Sequence, residues 1–174
     1  MILASHVIAS CYGFWLPNEE RGSWSDFVRS WELFQKFGPA TKVSTHRSVA
    51  RKPYDRQRRA DAQASLTYDP VLFNGLQARA VARGFALQVA KSGYVIYACV
   101  ILRNHVHLVI RRHHYHVTQV MGLLKGAASR QLEREGLHPF LDERRADGGL
   151  PSPWASKCWK VYLDTVEDVR RAVK

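Results

Sequence analysis

Residues 94–110 read Tyr-Val-Ile-Tyr-Ala-Cys-Val-Ile-Leu-Arg-Asn-His-Val-His-Leu-Val-Ile, and this stretch decides the fold. The run from Tyr94 to Leu102 is apolar and rich in β-branched and aromatic residues. Arg103-Asn104 interrupts it, and Asn104-His105-Val106-His107-Leu108-Val109-Ile110 follows. Two β-prone runs joined by a short polar link predict an antiparallel hairpin. Strand side chains alternate, so His105 and His107 project from one face and Val106, Leu108 and Ile110 from the other. The apolar face seals onto a core. It leaves two imidazoles about 7 Å apart along the strand, at about 3.3 Å rise per residue, within reach of one metal ion. Most isolated His-x-His triplets are solvated strand histidines. Here the pair opens a central strand in a very basic chain, which points to a metal site acting on phosphate.

The basic excess is large: 26 Lys and Arg against 15 Asp and Glu in 174 residues, a formal net charge of +11. A polyanionic partner follows, either nucleic acid or an anionic membrane surface. The membrane is the weaker option, because the longest clean apolar run, Tyr94 to Leu102, is far short of the roughly 20 residues that span a bilayer. The first residues lack a charged region and a cleavage site, so no signal peptide is expected. The length suits one domain with a packed core. Cys11, Cys99 and Cys158 are widely spaced on apolar stretches. They read as reduced core residues of a cytoplasmic protein rather than as disulfides or zinc ligands.

A first strand is expected over 5–15, closed by Leu16-Pro17-Asn18. Residues 17–69 read as an insertion. Its aromatics Trp24, Phe27, Trp31, Phe34 and Phe37 recur at helical spacing, and Arg47 to Arg59 reads as a solvated basic excursion or a DNA-contacting arm. Asp69-Pro70 predicts a helix running to about Ser92. Val71, Leu72, Leu76, Ala80, Val81, Phe85 and Leu87 form its buried stripe, weakened by Gly84. After the hairpin over 94–112, Val117, Val120, Met121, Leu124, Ala128 and Leu132 predict a second helix to Glu135, ended by Gly136. Residues 137–156 read as a loop and Lys157 to Leu163 as a last strand. Asp164-Thr165 opens a final helix with a Thr165/Asp168 capping box. Without the insertion and the final helix the order is β-α-β-β-α-β. That is the ferredoxin-like (RRM-like) α+β arrangement: an antiparallel sheet with helices on one face, a long insertion after the first strand, and the other face open for His105 and His107.

The segment Val100 to Val109 with its Asn104-His105-Val106-His107-Leu108 core, followed by a basic helix holding Leu124-Lys125-Gly126, resembles the HUH single-strand DNA transposases. It is most similar to their REP-associated tyrosine transposase branch. Tyr12 to Pro17 with Arg21-Gly22-Ser23 resembles the start of long-loop members, and Trp159 to Asp164 resembles their last strand and helix start. The resemblance spans nearly the whole chain except about 25–68. Arg103 departs from it, since a proline is usual there. The family's attacking tyrosine lies on the last helix, with an amide side chain four residues later. The final helix here is expected to be cut short at Lys174, with that tyrosine just beyond it.

The resemblance implies metal-dependent cleavage and rejoining of single-stranded or hairpin DNA through a phosphotyrosine intermediate, the chemistry of DNA transposition. His105 and His107 would hold a divalent cation, Mg²⁺ or Mn²⁺. Arg111, Lys125 and Arg130 are the candidate DNA contacts, each otherwise an ordinary solvated charge. His113, His114 and His116 read as loop residues near phosphate. Tyr162 is the one tyrosine within reach as a substitute nucleophile, and otherwise packs the last strand. The expected location is the cytoplasm, nucleoid-associated when bound to DNA in a bacterium, and a homodimer stays open. Two rivals stand. His46-Arg47-Ser48 with His116-Val117-Thr118 formally supplies the paired motifs of two-histidine phosphoesterases, which need two facing strands. A non-catalytic nucleic-acid-binding module would use Tyr12, Tyr94 and Tyr97 as stacking platforms.

Overall fold

In the computed structural model, residues 1–14, 16, 31–38 and 55–174 are described. The elements are β1 (Ala4–Ser10), α1 (Trp31–Phe37), α2 (Arg56–Ala64), α3 (Gly75–Ser92), β2 (Ile96–Ile101), β3 (His105–Arg111), α4 (Val117–Arg134), β4 (Trp159–Leu163) and α5 (Val166–Val173). They divide into two compact units, Met1–Ser10 with Val71–Lys174, and Cys11–Pro70. The first unit carries a four-stranded antiparallel sheet in the order β2-β3-β1-β4. The fold is thus the expected ferredoxin-like α+β arrangement.

The register fixes the two faces. Val7, Ala9, Val106, Leu108 and Ile110 are all fully or almost fully buried. They lie on the face that α3 and α4 cover. On the other face His107 stands opposite Ile8, His105 opposite Ser10, and Val109 opposite His6.

That second face is not open along its length. Ala4, Val109 and Leu163 are buried there, with Val169 and Ala172 of α5 packed against them. So helices occupy both faces, and α5 covers the end of the histidine face away from the pair. Its capping box is as expected, with Asp168 N–H donating to Thr165 Oγ1 and Thr165 N–H to Asp168 Oδ2.

α4 buries Val117, Val120, Met121, Leu124, Ala128 and Leu132, the stripe read from the sequence. α3 differs. It starts at Gly75, where Asn74 and Gln77 form a capping box, rather than at Pro70. Before it, Val71 and Phe73 are buried, and Phe73 N–H donates to the Arg103 carbonyl at 2.7 Å. This tie to the hairpin turn outweighs the Asp-Pro start signal. The later start also turns the stripe, because Leu72, Leu76 and Leu87 are exposed and Ala80, Val81, Gly84, Phe85 and Gln88 are buried. Gly84 marks a close helix crossing: a Cβ there would lie 2.6 Å from the Ala128 Cα.

β1 ends at Ser10 rather than at Trp15. In the second unit Gly13 adopts φ +81°, a conformation that strands do not use. The end of the Arg-rich run is helical, since Asp55 caps α2 by accepting from Arg58 N–H. Trp15, Pro17, Arg21–Ser23, Trp24, Phe27, His46 and Ser48 lie outside the described residues. Among the three free cysteines, Cys11 is buried, Cys158 half-buried and Cys99 exposed, which corrects the reading of all three as core. No helix among the described residues is long and apolar enough to cross a membrane.

Candidate metal and nucleic-acid site

β3 brings His105 and His107 out of the hairpin turn side by side. Leu102 N–H donates to the His105 carbonyl at 2.9 Å, which closes the turn over Arg103-Asn104. The rings lean together, so His105 Nε2 and His107 Nε2 are 3.0 Å apart. His105 is 9 % exposed and His107 half-buried, so the pair sits in the sheet surface rather than in free solvent.

Each ring is held through its other nitrogen. Asn104 Oδ1 lies 2.7 Å from His105 Nδ1. An amide oxygen only accepts, so His105 Nδ1 carries the proton and its Nε2 presents a lone pair. His107 Nδ1 lies 3.2 Å from Nε2 of His6. The His6 ring stacks on His107 at 5.4 Å between centroids and meets Trp159 edge-on at 5.6 Å. Burial, and then the neighbouring His107, hold His6 below the usual histidine value. Sequence reading missed His6. Its alternation with the buried Val7 and Ala9 marks its face, but only the β1–β3 register sets it beside His107.

The donor set fits a divalent cation. Two nitrogens at adjacent positions of an octahedron, with bonds of about 2.1 Å, are about 3.0 Å apart. Among the described residues no group of three or more His, Cys, Asp or Glu is arranged to hold a metal. The pair therefore offers two ligands, each with a partner fixing its orientation.

The other candidates scatter. Arg111 shares the histidine face. It is four residues beyond His107, about 13 Å along the strand, with the α5-covered Val109 between them. Arg130 is exposed on α4. Lys125 is committed elsewhere, with Nζ donating to the Ala155 carbonyl at 2.6 Å. Tyr162 pairs with Ser5, which places it on the face opposite the histidines, and its hydroxyl lies 3.2 Å from His116 Nε2. It does not face the imidazole pair.

His113 and His114 lie tilted against each other in the loop after β3, with centroids 3.9 Å apart. His116 caps α4 by accepting from Thr118 N–H. Its cap position removes the phosphoesterase reading, which needed His116-Val117-Thr118 on a strand. Tyr94 is 4 % exposed, too buried to stack a base, so the binding-module reading loses one platform while Tyr97 stays exposed.

Residues 70–145 match the family of IS200-like transposases. A REP-associated tyrosine transposase bound to a REP hairpin is similar at 10 % identity and a TM-score of 0.46, over 99 % of this chain and 64 % of that one. A crystal structure of a Deinococcus radiodurans R1 protein assigned as a transposase is similar at 14 % identity and a TM-score of 0.42, over 98 % of this chain and 85 % of that one. The chain thus spans about two thirds of the length of the first. No curated protein matches it.

Proposed function

We propose that this chain, whose residues 70–145 match the family of IS200-like transposases, processes DNA strands at the His105/His107 face. Single-stranded or hairpin DNA is cleaved and rejoined there, as in the REP-associated branch that the Asn104-to-Leu108 motif resembles. The observation that carries this reading is the convergence of His105 Nε2 and His107 Nε2 at 3.0 Å, with Asn104 holding His105 in the ligating tautomer. A net charge of +11 suits a polyanionic substrate.

His105 and His107 would hold Mg²⁺ or Mn²⁺, which supplies positive charge against the scissile phosphate. Asn104 keeps the His105 lone pair aimed outward. The half-buried position of the pair limits water around the reacting phosphate and strengthens electrostatic contacts there. Arg130 and Arg111 neutralise backbone phosphates along the bound strand. An attacking tyrosine phenol would displace the 3′-oxygen of the leaving strand. It forms a 5′-phosphotyrosine linkage that conserves the bond for rejoining.

The test is Mn²⁺ titration of the wild type and of His105→Ala/His107→Ala by calorimetry, with circular dichroism as the fold control. Loss of binding in a folded double variant supports the site. Equal Mn²⁺ affinity in the two proteins overturns it.

A further inference from the structure

We propose that the loop joining β3 to α4 is a second contact for the DNA, in which His114 and Tyr115 stack on an unpaired base while Arg111 and Arg112 take the phosphates beside it. The proposal rests on the DNA reading above and uses neither histidine of the pair. The segment reads Arg111-Arg112-His113-His114-Tyr115-His116. Its surroundings in the chain are one-sided in charge: residues 70–132 hold eight Lys and Arg and no Asp or Glu. Arg111 and Arg112 are exposed, and neither makes an ion pair among the described residues. With no carboxylate answering them, both guanidinium groups can turn to phosphate.

The loop is held at both ends and gathers its rings between them. Arg111 N–H donates to the Val95 carbonyl at 2.9 Å and Arg112 N–H to the Leu3 carbonyl at 2.8 Å. At the other end His116 caps α4, and its Nε2 lies 3.2 Å from the Tyr162 hydroxyl. In between, Tyr115 N–H donates to His113 Nδ1 at 3.1 Å, which bends the chain. Successive side chains of an extended strand point to opposite sides. The bend instead brings three rings together, with centroids 3.9 Å apart for His113 and His114, 4.2 Å for His114 and Tyr115, and 5.2 Å for His113 and Tyr115. The buried Tyr94 meets His113 edge-on at 4.9 Å and backs the cluster.

The outer two rings face solvent. Tyr115 is 39 % exposed and His114 is exposed. Neither the His114 imidazole nor the Tyr115 hydroxyl has a hydrogen-bond partner among the described residues. Rings already packed on one another have little freedom left to lose on binding. Every base has a π-face, and aromatic rings beside cationic side chains hold single strands in this way. Paired bases show their faces only to one another, so the occupant is an unpaired nucleotide, from a single-stranded segment or from the loop of a hairpin. The cluster follows the end of β3 opposite His105, six residues or about 20 Å along the strand from His105 to Arg111. It therefore contacts a different nucleotide from the one at the imidazole pair.

The experiment measures binding of fluorescein-labelled DNA to the full 174-residue chain by anisotropy, in EDTA so that no cation takes part. The probes are a single strand, a hairpin with an unpaired loop, and a blunt duplex. Tyr115→Leu removes the exposed ring and should weaken the single strand about tenfold without changing the salt slope. Tyr115→Phe keeps the ring and should bind as the wild type does. The duplex should bind both variants as it binds the wild type. A similar loss for the hairpin assigns its loop to the platform as well, and an unchanged hairpin reserves the platform for single-stranded segments; both support it. Arg112→Ala should lower the slope of log K against log salt by about 0.7, and an unchanged slope overturns its phosphate contact. In the wild type, where no variant has to fold, the Tyr115 ring protons should shift upfield in ¹H–¹³C NMR as the single strand is added. Unshifted Tyr115 resonances overturn the proposal. So does a Tyr115→Phe as weak as the Leu variant, or an equal loss for the duplex. If the wild type binds no single strand, the DNA reading fails and the platform falls with it. If the wild type binds the single strand and Tyr115→Leu binds it equally well, only the platform fails.

Discussion

Gly84 of α3 and Ala128 of α4 sit back to back: a Cβ on Gly84 would fall 2.6 Å from the Ala128 Cα and 2.8 Å from the Ala127 carbonyl oxygen. Both obstacles are backbone, so neither can swing away. The glycine that weakens α3 as an isolated helix is what allows the two helices to touch beneath the sheet.

Gly84→Ala should therefore destabilise the protein by about 1–3 kcal/mol through overpacking, even though alanine is the better helix former by about 1 kcal/mol. Gly122 of α4 is the control, because a Cβ there meets nothing within 4 Å. Gly122→Ala should stabilise by a few tenths to about 1 kcal/mol. Urea denaturation of both variants checks the pair, and a Gly84→Ala midpoint equal to or above wild type would show that the crossing is looser than described.

Leu108 is fully buried on the core face, whereas Leu76 is 54 % exposed. Leu108→Ala should cost about 2–5 kcal/mol, and Leu76→Ala should stay within about 0.5 kcal/mol of wild type. Comparable losses in the two, measured by the same denaturation, would mean that α3 begins at Pro70 and buries Leu76 after all.

Lys125 and Arg130 lie on one helix but should behave differently. Lys125 donates to the Ala155 carbonyl, so Lys125→Met should lower the melting temperature and leave the salt dependence of DNA binding unchanged. Arg130→Ala should leave the melting temperature alone. It should weaken binding of single-stranded or hairpin DNA and reduce the slope of log K against log salt by about 0.7–0.9, the share of one phosphate. Fluorescence anisotropy at several salt concentrations measures both slopes, and an unchanged slope in Arg130→Ala removes that residue from the interface.

His138 makes stability pH-dependent. It is buried, its Nδ1 accepts from Phe140 N–H at 3.2 Å, and burial pushes it below the ordinary histidine value, with Glu133 opposing and Arg144 reinforcing the shift. Between the folded value and the unfolded value near 6.5 the unfolded chain binds more protons, so stability rises with pH there. The neutral-form contribution is complete above about pH 6.5 and is lost as pH falls, by no more than about 1.4 kcal/mol per pH unit for one group. His138→Gln keeps an acceptor that does not titrate, and should show a shallower loss of stability from pH 7 to 5. Parallel pH profiles for variant and wild type would place the titration elsewhere.

The reading from sequence succeeds where the cause is local. The hairpin and its turn follow from two β-prone runs around Arg103-Asn104. The buried stripe of α4 follows from helical periodicity, and the α5 start from the Thr165/Asp168 cap. The alternation that puts His105 and His107 on one side of β3 needs nothing beyond strand geometry. What only the tertiary structure decided depends on neighbours remote in the chain. Phe73 reaches Arg103 thirty residues on, and that contact moves the start of α3 and turns Leu72, Leu76 and Leu87 outward. The register of β4 on β1 puts Tyr162 behind the sheet, and α5 closes part of a face that periodicity alone leaves open. His6 is the clearest case. Its strand and its side are legible in the sequence, but its place beside His107 is set by how far β1 slides against β3, a non-local register that no local pattern encodes.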